Sequence, residues 1–321
     1  MCGDTWTSGI KPVAAPARVE QGYSVVMHDE QVDLTIDVAR RLVGDQFPQW
    51  RHLPLHEVRS EGTVNAIFRI GEDLAARFPL RAPEAVTARA WLESEAAAAR
   101  ELAAYSPVPT PVPVALGEPG HGYPLPWAVQ TWLTGRVASL EDPGASVAFA
   151  DDLAGFITAL RAADTRGRTF SGTGRGGNLP DHDAWLDVCF RKSEELLDVA
   201  RLRRLWRELR RLPRTGPDVM SHGDLIPGNV LVAEGRLVGV LDGGGFGPAD
   251  PGLDLVCAWH LLDSDRRKEL RRALGSGDVE WMRGMAWAFQ QGMGLVWYYV
   301  ESNLPMSWLG RRTLDRLLAE T

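Results

Sequence analysis

His222-Gly223-Asp224-Leu225-Ile226-Pro227-Gly228-Asn229 leads into Val230-Leu231-Val232, a Glu234-Gly235-Arg236 turn, the run Leu237 to Leu241, and then Asp242. If residues 230–233 pair with 237–240 across a three-residue turn, Asn229 comes opposite Leu241, since cross-strand neighbours stand about 5 Å apart. Asn229 and Asp242 then flank one spot. A carboxylate and an amide oxygen are hard ligands that suit Mg²⁺, an ion that takes few protein ligands and leaves its other positions to water and phosphate oxygens. Asp224 lies one loop away, with no cation adjacent to it in the sequence.

His222, Gly223, Asp224 and Asn229 also match the H-x-D-x-x-x-x-N loop of kinase-type phosphoryl transfer, in which the Asp receives the substrate hydroxyl proton and the Asn holds metal. With Asp242, Asp250-Pro251 and Asp254-Leu255 downstream, the chain resembles the aminoglycoside phosphotransferase family, antibiotic kinases that share the protein-kinase-like fold. The resemblance covers roughly residues 55 to 265 and is strongest over 219 to 259. It implies that Asp224 is the catalytic aspartate, that Asn229 and Asp242 bind Mg²⁺ on the nucleotide phosphates, and that Asp250 and Asp254 brace the catalytic loop. An ordinary polar turn followed by helix-capping aspartates would explain His222-Gly223-Asp224 alone. It gives no reason for an Asn at 229 or an Asp at the return end of the hairpin. One departure stands out: Asp242 is followed by Gly243-Gly244-Gly245 rather than Phe-Gly, which removes an aromatic anchor and adds backbone freedom.

In such folds the cation that positions phosphates comes from the third strand and is held by a helix glutamate. The matching strand is Leu74 to Phe78, where alternation sets Leu74, Ala76 and Phe78 on one face and Ala75 with Arg77 on the other. Arg77 stands where a lysine is expected, and a guanidinium can still bridge phosphate oxygens. Helical spacing surrounds Glu95 with Trp91, Leu92, Ala98, Ala99 and Leu102, an apolar face on which a charge needs a partner, so Glu95 rather than Glu93 is assigned to Arg77. Ser60-Glu61-Gly62-Thr63, between two strands, offers backbone N–H groups of Gly62 and Thr63 to phosphates. The resemblance places an interlobe hinge at Gln130 to Leu133, with backbone groups of Thr131 and Leu133 facing the nucleotide base.

Further out, residues 1–22 read as an irregular leader, 23–133 as a sheet-rich nucleotide-binding lobe, and 134–321 as a helical lobe for catalysis and acceptor binding. The periodicity predicts helices over 33–43, 83–105, 151–163, 183–212, 254–274, 281–302 and 311–319. Alternating prolines at 107, 109, 111 and 113 form an extended connector. Gly172-Thr173-Gly174-Arg175-Gly176-Gly177 satisfies G-x-G-x-x-G but neither follows a strand nor opens a helix, so it reads as a flexible loop bordering the acceptor site. Trp297, Tyr298, Tyr299 and Trp308 fall in the late helical region that would face an acceptor.

The 321 residues, 45% apolar, suffice for two ordinary cores and exclude a disulfide miniprotein or disordered tail. Lys and Arg number 35 against 42 Asp and Glu, a net of -7, which leaves no broad basic surface for nucleic acid. Three scattered cysteines form neither a disulfide framework nor a thiolate metal site, and no stretch is long and apolar enough to span a membrane. A cytoplasmic location follows. The expectation is an α+β, two-lobed protein-kinase-like enzyme that moves the γ-phosphate of Mg²⁺-ATP or Mg²⁺-GTP to a hydroxyl of a small molecule. The implied acceptor is an antibiotic of aminoglycoside, macrolide or nucleoside type. The alternatives are a metabolic kinase acting on choline, a sugar or homoserine, and a catalytically silent binding module.

Overall fold

Among the described residues the buried apolar side chains gather in two large cores and one small cluster of Ile226, Leu295 and Leu309. The computed structural model describes residues 32, 34–58, 65–81, 84–172 and 174–321. The leader 1–22, Gly62, Thr63 and the helix start expected at Pro83 lie outside the described residues.

The first core belongs to an antiparallel five-stranded sheet in the order β1 (Leu55–Val58), β2 (Asn65–Ile70), β3 (Leu74–Pro79), β5 (Trp127–Thr131), β4 (Pro113–Gly117). β2 and β3 join through Gly71 at φ +56, and Ile70 pairs with Leu74. The inward face of β3 carries Ala76 and Phe78. Phe78 stacks on Trp127 with centroids 4.6 Å apart and meets Phe68 and Tyr123 edge-on. Helix α1 (Ile36–Gln46) adds Ala39, Leu42 and Val43 to the same core, and the Thr35 hydroxyl accepts from Val38 N at 3.3 Å to cap it.

Helix α2 (Ala85–Tyr105) reaches both cores, with Ala88 in the first and Leu102 in the second. Its buried stripe is Ala88, Leu92, Ala96 and Leu102, while Trp91 is 51% exposed. The helix is therefore rotated slightly from the expected face, and Glu95 sits half-buried at the edge of the stripe. The proline connector runs extended between two partners. Pro109 O accepts from Val240 N at 3.0 Å, and Val112 O accepts from Thr131 N at 2.9 Å.

The second core collects α3 (Val147–Arg161), α4 (Asp183–Lys192), α5 (Val199–Leu209), α6 (Val256–Leu261), α7 (Ser264–Leu274), α8 (Asp278–Tyr298) and α9 (Leu304–Ala319). Residues 183–212 form two helices, not one. Asp198 accepts from Arg201 N at 3.0 Å and starts α5, since a short carboxylate satisfies free N–H groups better at a cap than inside a helix. Asp263 likewise separates α6 from α7, accepting from Asp265 N and Arg266 N. The last helix begins well before the expected Arg311, because Pro305 is welcome in a first turn and Asn303 caps it.

Among these helices lie a short sheet, β6 (Arg136–Val137), β8 (Val230–Ala233) and β9 (Arg236–Val240), and a pair, β7 (Val219–Ser221) with β10 (Gly247–Ala249). The 230–240 hairpin closes through two residues, not three. Glu234 and Gly235 both adopt positive φ (+51 and +71), the conformation of tight hairpin turns, and Arg236 pairs with Ala233. An irregularity between Leu231 and Val232 restores the register, so Val230 still faces Val240.

Candidate active site

The loop after β7 is held by its own backbone. His222 N and Gly223 N donate to Asp254 Oδ2 and Oδ1 at 2.9 and 2.8 Å, the bracing expected of Asp254. Gly223 stands at φ +84, where a side chain would be strained. The His222 ring lies 2.9 Å from Leu241 O through Nε2, so that nitrogen carries the proton, and Nδ1 accepts from Asp224 N at 3.3 Å.

Asp224 emerges from this loop with both carboxylate oxygens engaged. Oδ1 accepts from Arg175 Nη2 and from Gln291 Nε2, each at 2.8 Å, and Oδ2 accepts from Asn229 Nδ2 at 3.0 Å. Burial pushes the carboxyl's pKa up. The Arg175 charge and hydrogen bond, joined by the Gln291 bond, outweigh burial and hold it below the usual carboxylate range. Asp224 is therefore an anion at neutral pH with a fixed rotamer.

Asn229 ends a 3-10 turn at 227–229, and Asn229 O accepts from Leu241 N at 2.8 Å. This is the juxtaposition expected from the hairpin. Asn229 spends its amide nitrogen on Asp224 Oδ2 and O, which leaves its side-chain oxygen as the remaining donor to a cation. Asp242 turns out of β9 with φ +59, and its side chain is 47% exposed. Among the described residues no three His, Cys, Asp or Glu side chains gather around one point. Asn229 and Asp242 are oxygen donors that could hold Mg²⁺, an ion that takes few protein ligands and completes its shell with water and phosphate oxygens.

The expected Arg77–Glu95 pair is corrected. Arg77 Nη2 bonds Asp242 Oδ1 at 3.1 Å, and Glu95 stands beside them. Burial raises the Glu95 pKa, the Arg77 charge draws it back in part, and Asp242 adds to the rise. The reason Arg77 turns to Asp242 is the glycine run. A Cβ at Gly243 would lie 2.4 Å from Leu102 Cδ2, and one at Gly244 would lie 2.8 Å from Glu95 Cγ. The three glycines form a 3-10 turn pressed on α2, with Gly243 buried. They supply close approach where added looseness was expected.

Two cavities, of about 370 and 320 Å³, share Glu95 and Gly244 as walls. The larger carries Asp224, Arg175 and Asp242, and the smaller carries Arg77, Gln130 and Gly243. Thr131 N is committed to Val112 O, while Leu133 lies past the strand end, its Cδ1 close over Gly239.

Sequence reasoning missed Arg175 and Gln291. Arg175 belongs to the set-aside glycine loop, whose far end is bolted down: Asp250 N donates to Gly176 O at 2.8 Å, and Arg283 Nη2 donates to Gly177 O at 3.3 Å. Gly176 at φ +117 lets the chain turn there. The glycine density marked a special backbone path, but nothing local tied it to Asp224. Gln291 was visible only as a polar break in an apolar helix.

A model of the phosphotransferase enzyme family matches residues 56–287. The chain belongs to this family. An Escherichia coli protein named aminoglycoside 3'-phosphotransferase is 30% identical over 147 residues, covering 43% of this chain and 53% of that protein. A Salmonella typhimurium protein of the same name is 39% identical over 59 residues, covering 18% and 22%. The chain thus spans about half, or less, of the length of these curated relatives. The GDP complex of wild-type aminoglycoside 2'-phosphotransferase-IIIa resembles this phosphotransferase-family chain with a TM-score of 0.65 at 18% identity, over 88% of this chain and 98% of that one. The apoenzyme of macrolide 2'-phosphotransferase MphH from Brachybacterium faecium gives 0.58 at 17% identity, over 86% and 98%. Their likeness shows the two-lobed, kinase-like α+β fold. Among the described residues no helix is long and apolar enough to cross a membrane.

Proposed function

We propose that this phosphotransferase-family protein moves the γ-phosphate of ATP or GTP to a hydroxyl of a small molecule, an antibiotic of aminoglycoside, macrolide or nucleoside type, and so inactivates it. Residues 23–133 then form the nucleotide-binding lobe, and 134–321 the catalytic and acceptor lobe, in the cytoplasm. The observation that carries this reading is Asp224, anionic and fixed by three side chains, on the wall of a cavity that also holds Asp242. The names of the similar proteins support the donor and acceptor classes.

In this role Asp224 orients the acceptor hydroxyl and takes its proton, work for which an anion with a locked rotamer is suited. Asn229 and Asp242 would hold Mg²⁺, which when bound offsets charge on the nucleotide phosphates. Arg77, next to Asp242, would hold phosphate oxygens. Arg175 Nη1 is buried with no hydrogen-bond partner among the described residues, a donor left over for an incoming anion. The test is a matrix of ATP and GTP against several antibiotic classes and against choline, sugars and homoserine, scored by the mass gain of one phosphoryl group. Transfer to an antibiotic supports the reading. Transfer only to a metabolite replaces the acceptor class, and no Mg²⁺-dependent transfer to any acceptor overturns it.

A further inference from the structure

Behind Asp224 runs a chain of polar groups from three different helices, half-buried at Gln291 and buried beyond it. Gln291 on α8 donates through Nε2 to Asp224 Oδ1 at 2.8 Å. Its Oε1 faces His260 Nε2 on α6 at 3.0 Å, and His260 Nδ1 faces the Thr313 hydroxyl on α9 at 2.8 Å. His260 and Thr313 are wholly buried.

The proton positions follow from donor arithmetic. Asp224 Oδ1 already accepts from Arg175 Nη2 at 2.8 Å, so Gln291 presents its NH₂ to that oxygen and its own oxygen to His260. His260 must then carry its proton on Nε2. Burial pushes the His260 pKa down to about 4, so the ring is neutral and has one N–H, and Nδ1 is an acceptor. Thr313 must donate to it. Every bond thus points one way, from Thr313 through His260 and Gln291 to Asp224.

We propose that His260, set in one tautomer by Thr313, is a positioning residue that locks the Gln291 amide so that its NH₂ faces Asp224. If the ring adopted the other tautomer, Nε2 would accept, Gln291 would flip to satisfy it, and the amide oxygen would face the carboxylate. The chain makes the orientation of the loop carboxylate depend on the packing of α6, α8 and α9. This rests on the reading of Asp224 as the catalytic aspartate.

The test uses the full chain with ¹⁵N-labelled histidine. Imidazole ¹⁵N shifts of wild type should show His260 as the neutral Nε2–H tautomer at pH 7. Thr313→Val should mix the tautomers and lower kcat about 10- to 100-fold, the scale of one misdirected hydrogen bond to a charged group, with KM for nucleotide and acceptor unchanged. Thr313→Ser, which keeps the hydroxyl, should retain both the tautomer and kcat. Gln291→Met, which removes the link to Asp224 and leaves His260 Nε2–H without its acceptor while Thr313 still faces Nδ1, should show the same loss in kcat. An Nδ1–H tautomer in wild type, or wild-type kcat in Thr313→Val and Gln291→Met, overturns the proposal. Absence of turnover in wild type would remove the reading of Asp224 and the positioning role with it, whereas a wrong tautomer in an active enzyme removes the relay alone.

Discussion

Arg283→Met should be the most damaging single change outside the catalytic loop. Arg283 is 2% exposed and Asp250 is 1% exposed, so neither charge has water to fall back on. Arg283 Nε donates to Asp250 Oδ2 at 2.6 Å, Nη1 donates to Leu212 O at 2.9 Å, and Nη2 reaches Gly177 O. The carboxylate also accepts from Trp287 Nε1 at 3.2 Å and Gly252 N at 2.8 Å. Two unit charges about 4 Å apart attract by about 4 kcal/mol at an effective dielectric constant of about 20. Removing one partner of a buried pair costs about 3–5 kcal/mol, since the other charge is left desolvated. Against a total stability of about 5–15 kcal/mol this is a large fraction. The assay is urea unfolding followed by tryptophan fluorescence, with the midpoint compared at constant slope. The double variant Asp250→Asn/Arg283→Met should recover part of the loss, with a coupling energy of about 1–3 kcal/mol. A cost below about 1 kcal/mol for Arg283→Met would refute the assignment of this pair as the bolt between α8, β10 and the 172–177 loop.

Three further changes probe the cleft. Glu95→Gln should stabilise the free protein at neutral pH: a carboxyl whose pKa is raised by folding loses its stabilising share as pH rises through the raised value, so the gain should vanish below its ordinary 4.5 and appear above it in melting curves across pH. Gly243→Ala forces a Cβ into Leu102 and should cost about 1–3 kcal/mol in the same melting assay, with weakened Mg²⁺ dependence of activity because Asp242 moves with the turn. Asp254→Asn can accept only one of the two bonds from His222 N and Gly223 N and turns a donor toward the other. With about 1.5–3 kcal/mol lost, kcat should fall about 10- to 100-fold while circular dichroism stays unchanged.

The parts legible from the sequence were those encoded by local spacing. The 222–242 segment placed Asn229 beside Leu241 because a hairpin permits few registers, and the bulge at Leu231 compensated for a turn one residue shorter than expected. Alternation in β3 correctly aimed Arg77 away from Phe78 and into the cleft. What failed depended on distant chain segments. Arg77 chose Asp242 over Glu95 because glycines brought the 243–245 turn against α2, a distance that no periodicity records. Arg175 and Gln291 reach Asp224 from 49 and 67 residues away. Helix 183–212 broke at Asp198 because a capping carboxylate outweighs a continuing apolar period.

The central claim is that Asp224, held by Asn229, serves phosphoryl transfer in the cleft it shares with Asp242. Its most direct test is single-turnover transfer from γ-labelled ATP and GTP, wild type against Asp224→Asn, with nucleotide affinity measured in parallel. The account predicts that transfer falls by about 10²- to 10⁴-fold with nucleotide affinity retained. Transfer at the wild-type rate by Asp224→Asn would contradict it.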